Sequence, residues 1–276
     1  MSTHVAGVDG TPGGWAVLII QADRLVIQKV AALSSILDGG TDFDIIAIDI
    51  PIGLLDAYEI GGRACDRAAR KFLGKPRGNS IFPAPVRPVL ATTLWNDACV
   101  RSRASAPHGK SLTKQTFAIL PKIREVDELL RMRPELREVV REVHPEVCFC
   151  ELAGEPMKHH KASVPGREER RRALLRSFPE LHVIEKSGRD QGVPVEDILD
   201  ATVACWSALR LVGGKGRSLA SGRPVRYYRV ADGDLGLSRG CILLLDRRFS
   251  ARQRSGYQVV DSLHWRSQTL CREGEY

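Results

Sequence analysis

Over its first fifty residues the chain alternates between apolar runs and short clusters of turn formers. Segments 5–9, 14–20 and 25–31 are rich in Val, Ile and Leu and separated by tight connections, which predicts three strands in an antiparallel meander. Thr11-Pro12-Gly13-Gly14 forms the first reversal, so Asp9 sits at the end of a strand in a short hairpin. A short helix over 33–38 runs to Gly39-Gly40. The fully apolar run at 45–50 reads as a buried strand parallel to the first, stopped by Pro51 and Gly53. A right-handed crossover places it beside 5–9, with Asp49 next to Asp9.

Helical periodicity dominates afterwards. Over 61–73, Ala64, Ala68, Ala69, Phe72 and Leu73 share one face, and Arg63, Asp66, Arg67, Arg70 and Lys71 the other; Gly74 and Pro76 end the helix. Residues 75–88 carry four prolines in a basic stretch, and the apolar Ile81, Phe82 and Val86 make this an ordered loop or lid. Helices follow over 114–131, kinked or split by Pro121, and over 134–140. Residues 141–149 alternate like a strand, interrupted at His144-Pro145. A basic helix at 165–178, a short strand at 182–184 and a helix at 194–212 come next. A strand pair at 225–230 and 240–245 closes a domain spanning 1–246, with a helical insertion at 61–140. Residues 247–276 read as a basic, flexible tail.

Composition narrows the class. With 276 residues and 43% hydrophobic content the chain has ample material for a packed core. No run approaches the roughly 18–20 apolar residues of a membrane span, and no leader is visible, so a cytoplasmic protein without membrane contact is expected. Seven scattered cysteines fit reduced thiols. The net charge of +8 favours a polyanionic partner, although much of the excess lies in 167–176 and the tail, where a solvated helix face is an equal explanation.

The carboxylates carry the chemistry. Asp9 and Asp49 end neighbouring strands, Asp197 and Asp200 lie one turn apart on the helix 194–212, and Glu142 arrives from another strand. Ala201, Ala204 and Ala208 continue the face of Asp197 and Asp200 and permit close approach to the sheet. Such a group repels itself unless cations sit between its members, which implies Mg²⁺ or Mn²⁺. Singly, each aspartate is as well explained as a turn or helix cap. Cys148 and Cys150 near His144, His159 and His160 fit no common zinc spacing. His144 serves equally as a general base or as a loop-ordering residue.

Several blocks, in order, resemble one family. They are Val5-Ala6-Gly7-Val8-Asp9-Gly10 with Gly14-Trp15, Ile48-Asp49-Ile50-Pro51-Ile52-Gly53, Gly62-Arg63-Ala64-Cys65-Asp66 with Ala69-Arg70, and Ser80-Ile81-Phe82-Pro83. Lys114-Gln115 through Pro121-Lys122-Ile123-Arg124-Glu125-Val126-Asp127, Glu142-Val143-His144-Pro145-Glu146 and Asp197-Ile198-Leu199-Asp200-Ala201 continue the run. The chain thus resembles, over about 5–245, the domain of unknown function 429, described as predicted nucleases of the ribonuclease H fold.

That resemblance implies an α/β mixed sheet of three antiparallel strands followed by parallel ones, flanked by helices. It also implies an acidic metal site of Asp9, Asp49 and Asp200 with Asp197, with Glu142 a further ligand. The expected activity is a metal-dependent nuclease in which two cations, roughly 4 Å apart, activate water and stabilise the leaving oxygen. Arg63, Arg70, Arg77, Arg87 and Lys161 are candidates to grip the nucleic-acid backbone and Phe82 to stack on a base, with His144 and Glu146 beside the substrate. The rival readings are an actin-like ATP-dependent phosphotransferase, which lacks a second Asp-x-Gly hairpin here, and a non-catalytic nucleic-acid-binding module.

Overall fold

A computed structural model describes residues 3–22, 24–38 and 42–214. Its first three strands, β1 (His4–Thr11), β2 (Gly14–Gln21) and β3 (Arg24–Val30), form the expected meander, and β4 (Ile45–Ile48) lies parallel to β1 with Val8 opposite Ile48. β5 (Val140–Glu142) joins β4 in parallel, giving the order β3-β2-β1-β4-β5. This mixed sheet with helices on both faces is a ribonuclease H-like arrangement.

Side-chain alternation divides the sheet into two faces. Val5, Ala16, Leu18, Ile45 and Ala47 pack on one side, Ala6, Val8, Trp15, Val17, Ile46 and Ile48 on the other. The first side is covered by α5 (Pro145–Ala153), α6 (Val164–Leu174), α7 (Leu181–Asp190) and α8 (Val195–Val212), with α8 lying across β1, β2 and β4. The second is covered by the insertion between β4 and β5. This contributes α2 (Trp95–Ala104) and α4 (Leu120–Met132), while α1 (Ala64–Leu73) packs on α5 and α3 (Lys114–Ala118) leads into α4.

Pro121 occupies the first turn of α4, so the expected 114–131 helix is split in two just ahead of it. Residues Pro134–Glu138 form a 3-10 turn where a helix was expected.

Two expectations are corrected and one element is added. The stretch 141–149 is not an interrupted strand: β5 ends at Glu142, and Pro145 opens α5, where a missing N–H costs nothing. Residues 182–184 lie within α7, because a short apolar run cannot by itself distinguish a strand from the buried side of a helix. Between the loop 75–88 and the helix expected from 114, where the sequence predicts no element, lies α2, whose weak amphipathic pattern hid it. The strand pair 225–230 and 240–245, the tail and the boundary at 246 lie outside the described residues. Among those described, no helix is long and apolar enough to cross a membrane.

Candidate acidic site

Asp9 follows Val5 and Gly7 on β1, and Asp49 follows Ile45 and Ala47 on β4, so both side chains fall on the face covered by α8. The Asp49 N–H donates to the Val8 carbonyl at 2.9 Å, extending the β1–β4 ladder one residue past β4 and fixing the two aspartates side by side. What brings α8 down to them is Gly7. A Cβ there would lie 2.0 Å from the Cys205 backbone nitrogen and 2.2 Å from the Ala201 carbonyl oxygen, so helix and strand backbones are in direct contact. Asp200, next to Ala201, is thereby buried at 1% exposure beside Asp9, itself 7% exposed.

The three carboxylates lie close enough for each to feel the others' charge. Burial, and then repulsion from Asp200 and Asp49, push Asp9 well above the usual range. Asp49 is pushed up to about 8 by burial, with Asp200, Glu142 and Glu146 adding to the shift. Asp197 is raised mainly by burial, with Asp200 contributing. One cation enters this group directly: Lys161 Nζ lies 2.6 Å from Asp200 Oδ2. Burial works against the ammonium, but Asp200 and Asp9 outweigh it and its pKa rises. Like charge of this kind, only partly offset by Lys161, is the condition under which carboxylates hold a divalent cation, and the donor set is all oxygen, which suits Mg²⁺ or Mn²⁺.

Glu142 has another use. Its register partner Ile48 faces the insertion, so Glu142 points away from the α8 face and into a buried network. Arg63 donates to both of its carboxylate oxygens, at 2.6 and 2.7 Å, and also to Asp66 at 2.7 Å and to the Ile52 carbonyl at 2.6 Å. Cys65, Asp66 and Glu142 present ligand atoms within 4.8 Å of one another, but the guanidinium already fills that space. Arg63 is 6% exposed and sealed in, so the expected grip on a phosphate is replaced by a structural ion triad.

The other expected basic contacts are also occupied. Arg70 donates to the carbonyls of Ile81 and Gly61, Arg77 to that of Met157, and Arg87 to Asp127. These bonds tie down the proline-rich loop. Phe82 is exposed there. Part of the basic run 167–176 is likewise spent within the fold, with Arg167 on Glu196, Arg170 on Glu146 and Arg171 on Glu185, while Arg172 and Arg176 are exposed.

His144 immediately precedes α5, next to the acidic group, and makes no side-chain bond to the helix end. Burial holds its pKa down against Glu146 and Asp200, and its Nδ1 is buried without a hydrogen-bond partner. Glu146, 8% exposed, pairs with Arg170 at 2.5 Å through one oxygen while the other, Oε2, has no partner. Cys148 and Cys150 pack into different apolar clusters from the same helix, which removes the zinc arrangement.

One residue was not anticipated. Lys122, from the first turn of α4, bonds the Gly14 carbonyl, lies 4.5 Å from the centre of the Trp15 ring, and has its long side chain against Gly10. Burial lowers its pKa, while Glu125, Asp9 and Asp197 pull the other way. Glu125, one turn on, accepts from Trp15 Nε1 at 3.0 Å and from Leu33 N at 2.6 Å. The Lys-x-x-Glu spacing on one helix face was the available signal, but its target on the hairpin is remote in sequence.

No curated protein and no solved structure is matched by the chain. The sequence model described as "Protein of unknown function (DUF429)" matches residues 7–224, which include every residue of the acidic group. The chain therefore belongs to the DUF429 family.

Proposed function

We propose that this protein is a divalent-metal-dependent phosphodiesterase acting on nucleic acid. The observation that carries the reading is the convergence of Asp9, Asp49 and Asp200 from β1, the end of β4 and α8, with Asp9 and Asp49 raised by burial and by their neighbours' charge. Asp9, Asp49, Asp197 and Asp200 would hold Mg²⁺ or Mn²⁺. When bound, such an ion lowers the pKa of a water and neutralises phosphate oxygens. Lys161 and Lys122 bring positive charge to the same rim, where a phosphodiester would dock. Burial keeps His144 neutral at the edge of the group, with a ring nitrogen available to a proton. The five described cysteines are all free, which suits a reducing compartment such as the cytoplasm.

The test is a cleavage screen over single-stranded, duplex, hybrid and branched DNA and RNA with Mg²⁺, Mn²⁺ or chelator. Metal-dependent cleavage by the wild type and none by Asp49→Asn is expected. Salt-sensitive binding without cleavage on any substrate would replace the enzyme with a binding module. Nucleotide-dependent thermal stabilisation would instead favour a phosphotransferase.

A further inference from the structure

We propose that Lys161 is a tethered cation standing in for one of the two metal ions of the expected mechanism, so that the acidic group takes a single divalent ion. This rests on the metal-dependent reading above. The ammonium bonds Asp200, whose side chain is 2% exposed, while the lysine side chain is 44% exposed, so it reaches into the group from the solvent side. Its charge also acts favourably on Asp9, Asp49 and Asp197. A single side chain thus opposes the repulsion at all four carboxylates.

The loop that carries Lys161 is built to hold it there. Glu169 accepts the N–H groups of Lys158 at 2.8 Å and His159 at 3.0 Å. Ser163 caps α6 through the Gly166 N–H at 3.1 Å and donates to the His160 carbonyl at 2.7 Å. Gly166 lies under that carbonyl with no room for a Cβ, which would be 1.9 Å from its oxygen. On the other side, Arg167 joins the Ala162 carbonyl at 2.8 Å to Glu196 of α8 at 2.7 Å. Lys161 is therefore fixed between two anchored neighbours and referenced to the helix that carries Asp200. An ammonium positioned in this way is a pre-organised charge.

The charge balance agrees. Glu142 is paired with Arg63, which also holds Asp66, and Glu146 is paired with Arg170, so the carboxylates that face Lys161 are Asp9, Asp49, Asp197 and Asp200. One divalent ion and Lys161 bring three positive charges to these four carboxylates, with Lys122, which also faces Glu125, beside them. A second ion would have to displace Lys161 from Asp200 or leave excess positive charge in a buried site.

Mn²⁺ binding to the full chain, counted by paramagnetic resonance of the free ion and by calorimetry, tests the assignment without any turnover. Wild type is expected to bind one ion. Lys161→Met, which keeps the length and removes the charge, is expected to take a second ion or to bind the first about ten-fold or more tightly. Lys161→Arg, which keeps the charge, should behave as wild type, and thermal midpoints show that each variant folds. Two ions on the wild type, or a Met variant indistinguishable from it, would overturn the tethered-cation role while leaving the metal reading in place. No binding by any of the three would remove the metal reading, and this inference with it.

Discussion

Gly7 of β1 lies directly beneath Cys205 of α8, with no space for a side chain between the strand and the helix backbone. This contact sets the height of α8 above the sheet and so the reach of Asp200 toward Asp9. A methyl group at Gly7 would meet backbone atoms, which cannot swing aside. Gly7→Ala is expected to destabilise the fold by about 1–3 kcal/mol or more and to weaken Mn²⁺ binding as α8 lifts. Denaturant unfolding together with a Mn²⁺ titration checks both; an unchanged midpoint would mean that the helix shifts freely.

Asp49→Asn removes one repelling charge while keeping the shape. Without metal, Asp9 and Asp49 hold their protons in the folded chain above 3.8, their ordinary pKa, and Asp49 does so up to about 8. Between those values these two groups bind more protons in the folded state than in the unfolded, so their contribution to metal-free stability is full below about pH 4 and is lost as pH rises toward 8. The Asn variant should fall less steeply and be at least as stable as wild type near pH 8. Chemical denaturation across this range is the measurement, and Mn²⁺ should stabilise only the wild type at high pH. Parallel pH profiles would show that Asp49 carries no excess charge cost.

Arg63 is expected to matter for folding rather than for substrate. Its removal leaves Glu142 and Asp66 as buried charges without their cation, a loss of about 3–5 kcal/mol. Arg63→Ala should therefore unfold at much lower denaturant than wild type. The double change Arg63→Met with Glu142→Gln should recover part of the loss, because fewer unpaired charges remain. If the single variant were as stable as wild type but bound nucleic acid poorly, the structural role would be wrong.

The arginines of the proline-rich loop give a contrasting prediction. Since Arg77 and Arg87 already bond Met157 and Asp127, Arg77→Ala and Arg87→Ala should leave the salt dependence of nucleic-acid binding unchanged. Each should lower the thermal midpoint by about 2–4 °C for roughly 1 kcal/mol lost. A binding slope that drops by about one unit per variant would instead place these side chains on phosphates.

Local pattern was sufficient for much of the fold. The apolar runs identified β1 to β4 because a buried strand needs little beyond Val, Ile and Leu between turn formers, and parity along β1 and β4 put Asp9 and Asp49 on one face. Periodicity located α1, α4, α6 and α8. Pro145 misled because proline interrupts a strand but is accepted at a helix start, and only the surrounding fold selects between these. α7 misled because three apolar residues have no readable period.

The sequence by itself determined where carboxylates end strands and which small residues let a helix come close, since both follow from neighbours along the chain. The tertiary structure decided which charges are spent on one another. Glu142, Arg63, Arg77 and Arg87 looked available until folding gave them partners 40 to 80 residues away. Lys161, expected with the arginines as a phosphate contact, instead bonds Asp200, and Lys122 drew no notice until the fold carried it to the acidic rim. Pairing of charges depends on distance and burial in three dimensions, and neither is written in the spacing of residues along a chain.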